Sequence, residues 1–329
     1  MKPLEGVKVV DLTTFLAAPT SARVLGEWGA DVIKVESFSG DPGRTQGAVF
    51  GMPYTDEENL GFDMSNMNKR FMTINLKNQK GMEVMEKLLA DADVFITNIR
   101  THSLKKLGLD YDSLKAKYPR LIWAQCLGYG EAGPEKDTAG FDVTCYMARG
   151  GVFGTTVERD SNPMIPTNGY GDFQVAMCIA SGICAALFNR QRTGTGEKVT
   201  VSLHHAAAFM LSTAVVSAQY GNAYPKSRFE VICPTNNVYR TKDNKLLAMC
   251  APQYDRDYNK IMKLLGRDDL VDNPDYCNCD HLNELGKNRE VVEILDKAIA
   301  GFSQKEILKL FKDNDVPCEA CYQPLDMYE

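Results

Sequence analysis

The amino-acid sequence predicts an α/β protein: a parallel sheet covered by helices on both faces, followed by a smaller α+β domain. Three observations carry this expectation. Short apolar runs alternate with segments of helical period from Val7 to Leu203, the pattern of strand–helix–strand units. The texture changes near Tyr224-Pro225-Lys226, beyond which a hairpin and several amphipathic helices follow. The chain has 329 residues, 44% of them hydrophobic, about the size of two domains with sizeable cores.

The elements follow in order. Val7–Leu12 reads as a strand, Pro19–Trp28 as a helix and Ala30–Glu36 as a second strand. Phe71–Leu76, Val94–Asn98 and Leu121–Leu127 are further strands, with helical spacing over Lys80–Ala90. A long helix is expected from Asp172 to about Arg190, then a strand over Lys198–Leu203 and a helix over His204–Tyr220. The domain boundary is placed at residue 222, giving domains 1–222 and 223–329. In the second, Asn237–Thr241 and Leu246–Met249 form a hairpin about Lys242-Asp243-Asn244-Lys245, and helices span Tyr254–Leu265, Asn283–Gly301 and Ser303–Asn314.

Charge and composition exclude several classes. The 37 basic and 43 acidic residues leave a net charge of −6, which argues against a nucleic acid or an anionic membrane as partner. Lys2-Pro3-Leu4-Glu5-Gly6 is no secretory start. The uncharged run Phe173–Asn189 has 17 residues and several polar ones, and reads as a buried helix rather than a membrane span. Ten cysteines without a signal peptide read as reduced thiols of a cytoplasmic protein. Of these, only Cys318-Glu319-Ala320-Cys321 has knuckle spacing, so no metal site is expected.

The first β–α connection, Thr13-Thr14-Phe15-Leu16-Ala17-Ala18-Pro19, contains no glycine, so the pyrophosphate turn of a nicotinamide dehydrogenase is missing. Asp172 lies in Asn168-Gly169-Tyr170-Gly171-Asp172-Phe173, between a glycine-bracketed turn and an apolar helix. As a bland reading it is the helix N-cap. As a functional one it is a carboxylate kept anionic by the helix N-terminus and open to an activated acyl group. The two are compatible. Asn98 and Arg100 at a strand end, with Lys105 and Lys106 beyond, are placed for an anion, since ligands of open α/β sheets bind outside the carboxyl ends of strands; the alternative is a solvated basic face. His204 and His205 read as structural, and His102 has no acid or thiol near it in sequence.

At these residues a resemblance becomes specific. Pro3–Leu12, Gly29–Glu36, Gly40-Asp41-Pro42, Asn68-Lys69-Arg70, Ala92-Asp93-Val94 with Asn98, Leu107-Gly108-Leu109 and Gly171-Asp172-Phe173 resemble the class III CoA-transferases in order along the whole chain. The sequence is most similar to the 2-hydroxyacyl branch, the 2-hydroxyisocaproate and phenyllactate enzymes. The resemblance implies a Rossmann-like large domain and an interlocked homodimer. It implies an enzyme moving CoA from an acyl-CoA donor to a carboxylic acid, here a (R)-2-hydroxy acid from amino-acid fermentation. It implies Asp172 as the nucleophile of an aspartyl anhydride and an enzyme–CoA thioester. CoA is then a substrate, with no permanently bound cofactor. CoA contacts fall on Leu76, Lys77, Asn98, Arg100 and Lys106, and the turn carrying Gly169 and Gly171 supplies oxyanion donors.

Some positions depart from the family's pattern. Leu16 stands where the formyl-CoA transferases carry Gln, and Ser37 where they carry Arg, for which Arg44 is a replacement. Ile232-Cys233-Pro234-Thr235-Asn236-Asn237 takes the place of their glycine-rich loop. The family's C-terminal return segment is expected to be missing beyond Glu329, by truncation or by design. Two alternatives remain: an α-methylacyl-CoA racemase of the same fold, and a non-catalytic CoA-binding protein. The racemases pair their aspartate with a Gly-His-Asp histidine, where this chain has Gly140-Phe141-Asp142.

Overall fold

A computed structural model describes residues 1–328. The chain divides into two compact units, one made of Met1–Thr156 and Pro163–Asn222, the other of Val157–Asn162 and the residues from Ala223 onward.

In the first unit the order is β1 (Lys8–Leu12), α1 (Ala17–Glu27), β2 (Asp31–Glu36), α2 (Gly47–Phe50), α3 (Leu60–Asn66), β3 (Lys69–Thr73), α4 (Gln79–Ala90) and β4 (Val94–Thr97). Then come α5 (Thr101–Leu107), α6 (Tyr111–Lys117), β5 (Ile122–Leu127), a π-helical segment (Asp142–Arg149), α7 (Val152–Thr155), α8 (Tyr170–Thr193), β6 (Lys198–Ser202), α9 (Leu203–Met210) and α10 (Ser212–Ala218). The six strands are parallel, in the order β3-β2-β1-β4-β5-β6. Successive side chains of a strand point to opposite faces, and the sequence uses this strictly. Val9, Val94, Ile96 and Ile122 pack beneath α1 and α8, whereas their neighbours Val10, Phe95 and Trp123 pack with Met85 of α4, Leu104 of α5 and Leu114 of α6. Each such buried side chain contributes roughly 1.5–3 kcal/mol relative to exposure.

In the second unit, β7 (Asn236–Arg240), β8 (Leu246–Cys250) and β9 (Cys318–Ala320) form an antiparallel sheet in that order. The helices are α11 (Tyr254–Leu264), α12 (Cys279–Leu285), α13 (Asn288–Ile299) and α14 (Gln304–Lys312). Their core includes Tyr239, Leu247, Tyr258, Ile261, Leu295 and Phe311. Residues 157–162 belong to this unit through Arg159, paired with Glu230 at 2.5 Å, and Glu158, which accepts from the Arg228 amide at 2.8 Å.

Several elements differ from their sequence expectations for identifiable reasons. β3 starts at Lys69 rather than Phe71, because Lys69 is a buried charge rather than a surface one. The helix expected over Asn283–Gly301 is two helices, since Gly286 adopts a left-handed conformation (φ 66°) and ends α12. The helix expected over His204–Tyr220 breaks at Leu211, where the Ser212 hydroxyl bonds back to the Phe209 carbonyl. α8 extends beyond the uncharged run to 24 residues and is long and apolar enough by composition to cross a membrane. Within the fold, its Val175, Ile179, Ala180 and Ile183 are fully buried in the core.

Candidate active site

The strand order reverses direction between β1 and β4, so the connections leaving their carboxyl ends diverge and open a crevice. Two cavities lie there. One, about 560 Å³, is walled by Leu12–Thr14, Glu36–Asp41 and Ile74–Lys77. The other, about 460 Å³, takes in Thr14–Ala17, Asn98–Arg100, Cys126–Gly128, Gly140–Asp142 and Asp172.

The loop after β1 separates these cavities, and buried charge holds it in place instead of glycine. Lys34 donates to the Thr13 carbonyl at 2.8 Å and pairs with Asp41 at 2.9 Å, both side chains fully enclosed. Asp41 in turn accepts from the Phe15 amide at 3.1 Å, which fixes Phe15 at φ 67°, a left-handed conformation costly for a bulky residue. Asn98 brackets Thr14, accepting from its amide at 3.0 Å and donating to its carbonyl at 2.7 Å. Beneath, Lys69 pairs with Asp11 at 2.8 Å and also donates to Pro19 and Asn66. Burial lowers the Lys69 ammonium to about 8 despite the neighbouring Asp11 carboxylate.

Asp172 is the third residue of α8, not its cap. The N-cap is Gly169 (φ 79°), whose side-chain-less backbone makes no capping bond. The cap comes from elsewhere in the chain: Asp142, opening the π-helical segment, accepts from the Gly171 amide at 3.0 Å. Gly171 has to be glycine, because a Cβ there would collide with the Tyr146 ring and the Asp142 carboxylate. Asp142 is buried, and its second oxygen has no hydrogen-bond partner among the described residues. Burial pushes its carboxyl up, opposed by the amides of Gly171, Gly169 and Tyr170.

The Asp172 carboxylate faces this arrangement and accepts no hydrogen bond among the described residues. Burial first, and the Asp142 charge second, push it up to about 7. The helix start therefore does not hold Asp172 in its anionic form, as expected from sequence, because its open amides serve Asp142. What results is a poorly solvated carboxylate at a cavity wall, more basic and more nucleophilic than an ordinary aspartate. The nearby thiols are no rivals, since burial pushes both Cys126 and Cys145 up.

The other predicted residues fall in different places. Leu76 and Lys77 line the first cavity with Ser37. Arg100 lines the second, exposed and in no ion pair among the described residues. Lys106 is exposed on α5 and lines neither cavity. Asn98 uses its oxygen and one N–H on Thr14, which leaves one N–H for the cavity, whereas the amide of Gly171 is committed to Asp142. Arg44 is likewise engaged, gripping Glu36 with two bonds of 2.7 and 2.8 Å while stacking on Phe62 at 4.2 Å. The role of Asp142 was missed in sequence, although the Gly140-Phe141-Asp142 triplet was in view. His102 gains an acid through the fold, its Nδ1 lying 3.6 Å from Asp137.

The chain as a whole is similar to known proteins. Over 98% of its length, the chain is 41% identical to (R)-2-hydroxy-4-methylpentanoate CoA-transferase of Clostridioides difficile, covering 81% of that protein. It is 42% identical to cinnamoyl-CoA:phenyllactate CoA-transferase of Clostridium sporogenes, with 95% of this chain and 76% of that one aligned. Among solved structures, a CaiB/BaiF family protein from Brucella suis superposes with a TM-score of 0.83 at 28% identity, over 99% of this chain and 86% of that one. A Mycobacterium tuberculosis protein in an orthorhombic crystal form gives 0.86 at 25%, over 99% and 85%. The model of CoA-transferase family III matches residues 4–329, and the chain belongs to that family.

Proposed function

We propose that this CoA-transferase moves CoA from an acyl-CoA donor to a (R)-2-hydroxy acid, with Asp172 as its nucleophile. The observation that carries the reading is the Asp172 carboxylate, which is poorly solvated, unpaired and open to the cavity at the sheet's switch point. One carboxylate oxygen attacks the donor thioester carbonyl and CoA leaves as thiolate, giving a mixed anhydride. The thiolate then attacks the aspartyl carbonyl and expels the donor acid, which leaves an aspartyl–CoA thioester. The acceptor carboxylate repeats the first step on this thioester, and the released thiolate takes up the acceptor acyl group, freeing Asp172. An anhydride suits this exchange because a thiolate or a carboxylate can each reopen it. The names of the two clostridial relatives support a 2-hydroxy acid as acceptor. A panel of acids at fixed donor, ranked by kcat/KM, tests this; preference for a dicarboxylic acid would defeat it.

In this reading the first unit binds CoA and carries the chemistry. Leu76 and Lys77 meet the CoA in one cavity, and Arg100 its phosphates in the other. Lys106 rests on the family resemblance alone. Charge-assisted contacts contribute about 1.5–3 kcal/mol, so Arg100→Ala weakens CoA roughly 10- to 100-fold in a calorimetric titration. The acid KM moves far less; equal losses for both ligands would give Arg100 a structural role instead.

A racemase needs a second acid/base group beside the aspartate. Phe141 has no exchangeable proton, and its ring is set edge-on against Phe15 at 5.5 Å. With a chiral 2-methylacyl-CoA in deuterated water, the α-carbon stays unlabelled while CoA appears on an added second acid. The imidazole of His102 shares the cavity, and deuterium uptake as fast as CoA exchange would turn the assignment towards it.

The protein is further proposed to act as a homodimer in the cytoplasm. Exposed Phe188, Phe209, Val216 and Tyr220 support a covered face, and ten free thiols support a reducing compartment.

A further inference from the structure

Beside Asp172 lies a third, smaller chamber of about 130 Å³, whose apolar walls are Phe15, Leu16, Val49, Phe50 and Phe141. A water molecule's share of liquid is about 30 Å³, so the chamber holds roughly four or five non-hydrogen atoms. Its polar lining is Asp172, Asp142, Asn168 and Gln46. Gln46 precedes α2, and its side-chain oxygen is buried without a hydrogen-bond partner. No bond from its amide nitrogen occurs among the described residues either. A buried carboxamide oxygen with no partner is costly, and an apolar chamber with a few convergent polar groups is the form of a ligand pocket.

We infer that this chamber receives the side chain and the 2-hydroxyl of the substrate acid, and that Gln46 recognises the hydroxyl. The inference rests on the 2-hydroxy-acid reading above and adds to it the residue that distinguishes such an acid from its deoxy analogue. A hydroxyl is both donor and acceptor and can pair with either end of the carboxamide. The walls take a compact branched chain. A hydrogen bond to a substrate hydroxyl discriminates strongly, because the analogue lacking it leaves a buried group unpaired.

The test is isotope exchange between a labelled free acid and its own CoA thioester, run for (R)-2-hydroxy-4-methylpentanoate and for 4-methylpentanoate. The native protein should favour the hydroxy acid by at least tenfold in kcat/KM, and Gln46→Met should collapse that ratio at least tenfold. Equal losses on both acids in Gln46→Met would make Gln46 a mere wall and overturn the inference. So would a native protein that treats the two acids alike, a result that needs no variant to fold. Exchange with succinate but with neither of these acids, or with no acid at all, would overturn the 2-hydroxy-acid reading itself.

Discussion

Asp172→Ala abolishes CoA transfer, with a loss of at least a thousandfold, while CoA affinity and the circular dichroism spectrum stay near those of the native protein. The substitution removes the carboxylate at the cavity wall that accepts no hydrogen bond among the described residues, whereas Asp142 holds the start of α8 through one oxygen. The pH profile carries the same argument. The nucleophile must be ionised, and burial with the Asp142 charge lifts Asp172 from 3.8 to about 7. Transfer under kcat/KM conditions therefore rises about tenfold per pH unit below 7 and levels off above it. Asp142→Asn removes the like charge and moves this limb to lower pH. Stability runs the opposite way. A carboxyl raised in the folded state keeps its proton longer than in the unfolded chain, so ionisation costs folding free energy as pH climbs from 3.8 to about 7. Asp172→Asn, which cannot ionise, is accordingly more heat-resistant than the native protein at pH 8. Covalent trapping of acyl-CoA on a different residue, or surviving transfer in Asp172→Ala, would end the assignment.

The second large effect is on the fold itself. Asp41→Ala leaves the Lys34 ammonium charged and fully enclosed without its partner, and breaking a buried pair in this way costs about 3–5 kcal/mol. It also releases the Phe15 amide, which Asp41 holds. Melting temperature drops by roughly ten degrees, and the residual folded protein loses transfer. Replacing both partners with apolar residues of similar volume, Lys34→Met with Asp41→Leu, recovers much of the stability but not the loop. A melting temperature for Asp41→Ala within two degrees of the native value would show that the pair does not hold the unit together.

The sheet was legible because its strands are runs of apolar residues bounded by turn chemistry, and because helices separate them. Asp172 stands out in the sequence by its place between a glycine-bracketed turn and an apolar helix, although its position within the helix does not. Other features were hidden because they depend on partners distant in sequence. Lys69 looks like a surface charge until Asp11, 58 residues away, meets it. Asp142 reads as an ordinary residue until the amide of Gly171, 29 residues on, points at it. β9 has only three residues and owes its existence to β8, so no periodicity could announce it. Asn98 was rightly placed at a strand end, but spacing could not tell whether its carboxamide would face a ligand or the Thr14 backbone.

The pinned loop after β1 has a consequence for how affinity is distributed. Thr13, Thr14 and Phe15 are each tied by side chains from other strands or from the Gly40–Asp41 turn, so this floor is ordered when the chain folds rather than when a ligand arrives. Binding of CoA and acid then sacrifices little freedom there, and the reacting carbonyl is delivered against a surface already in shape. Loosening the floor without unfolding it would appear as an entropy penalty in calorimetry, with the contacts to the ligand themselves unchanged.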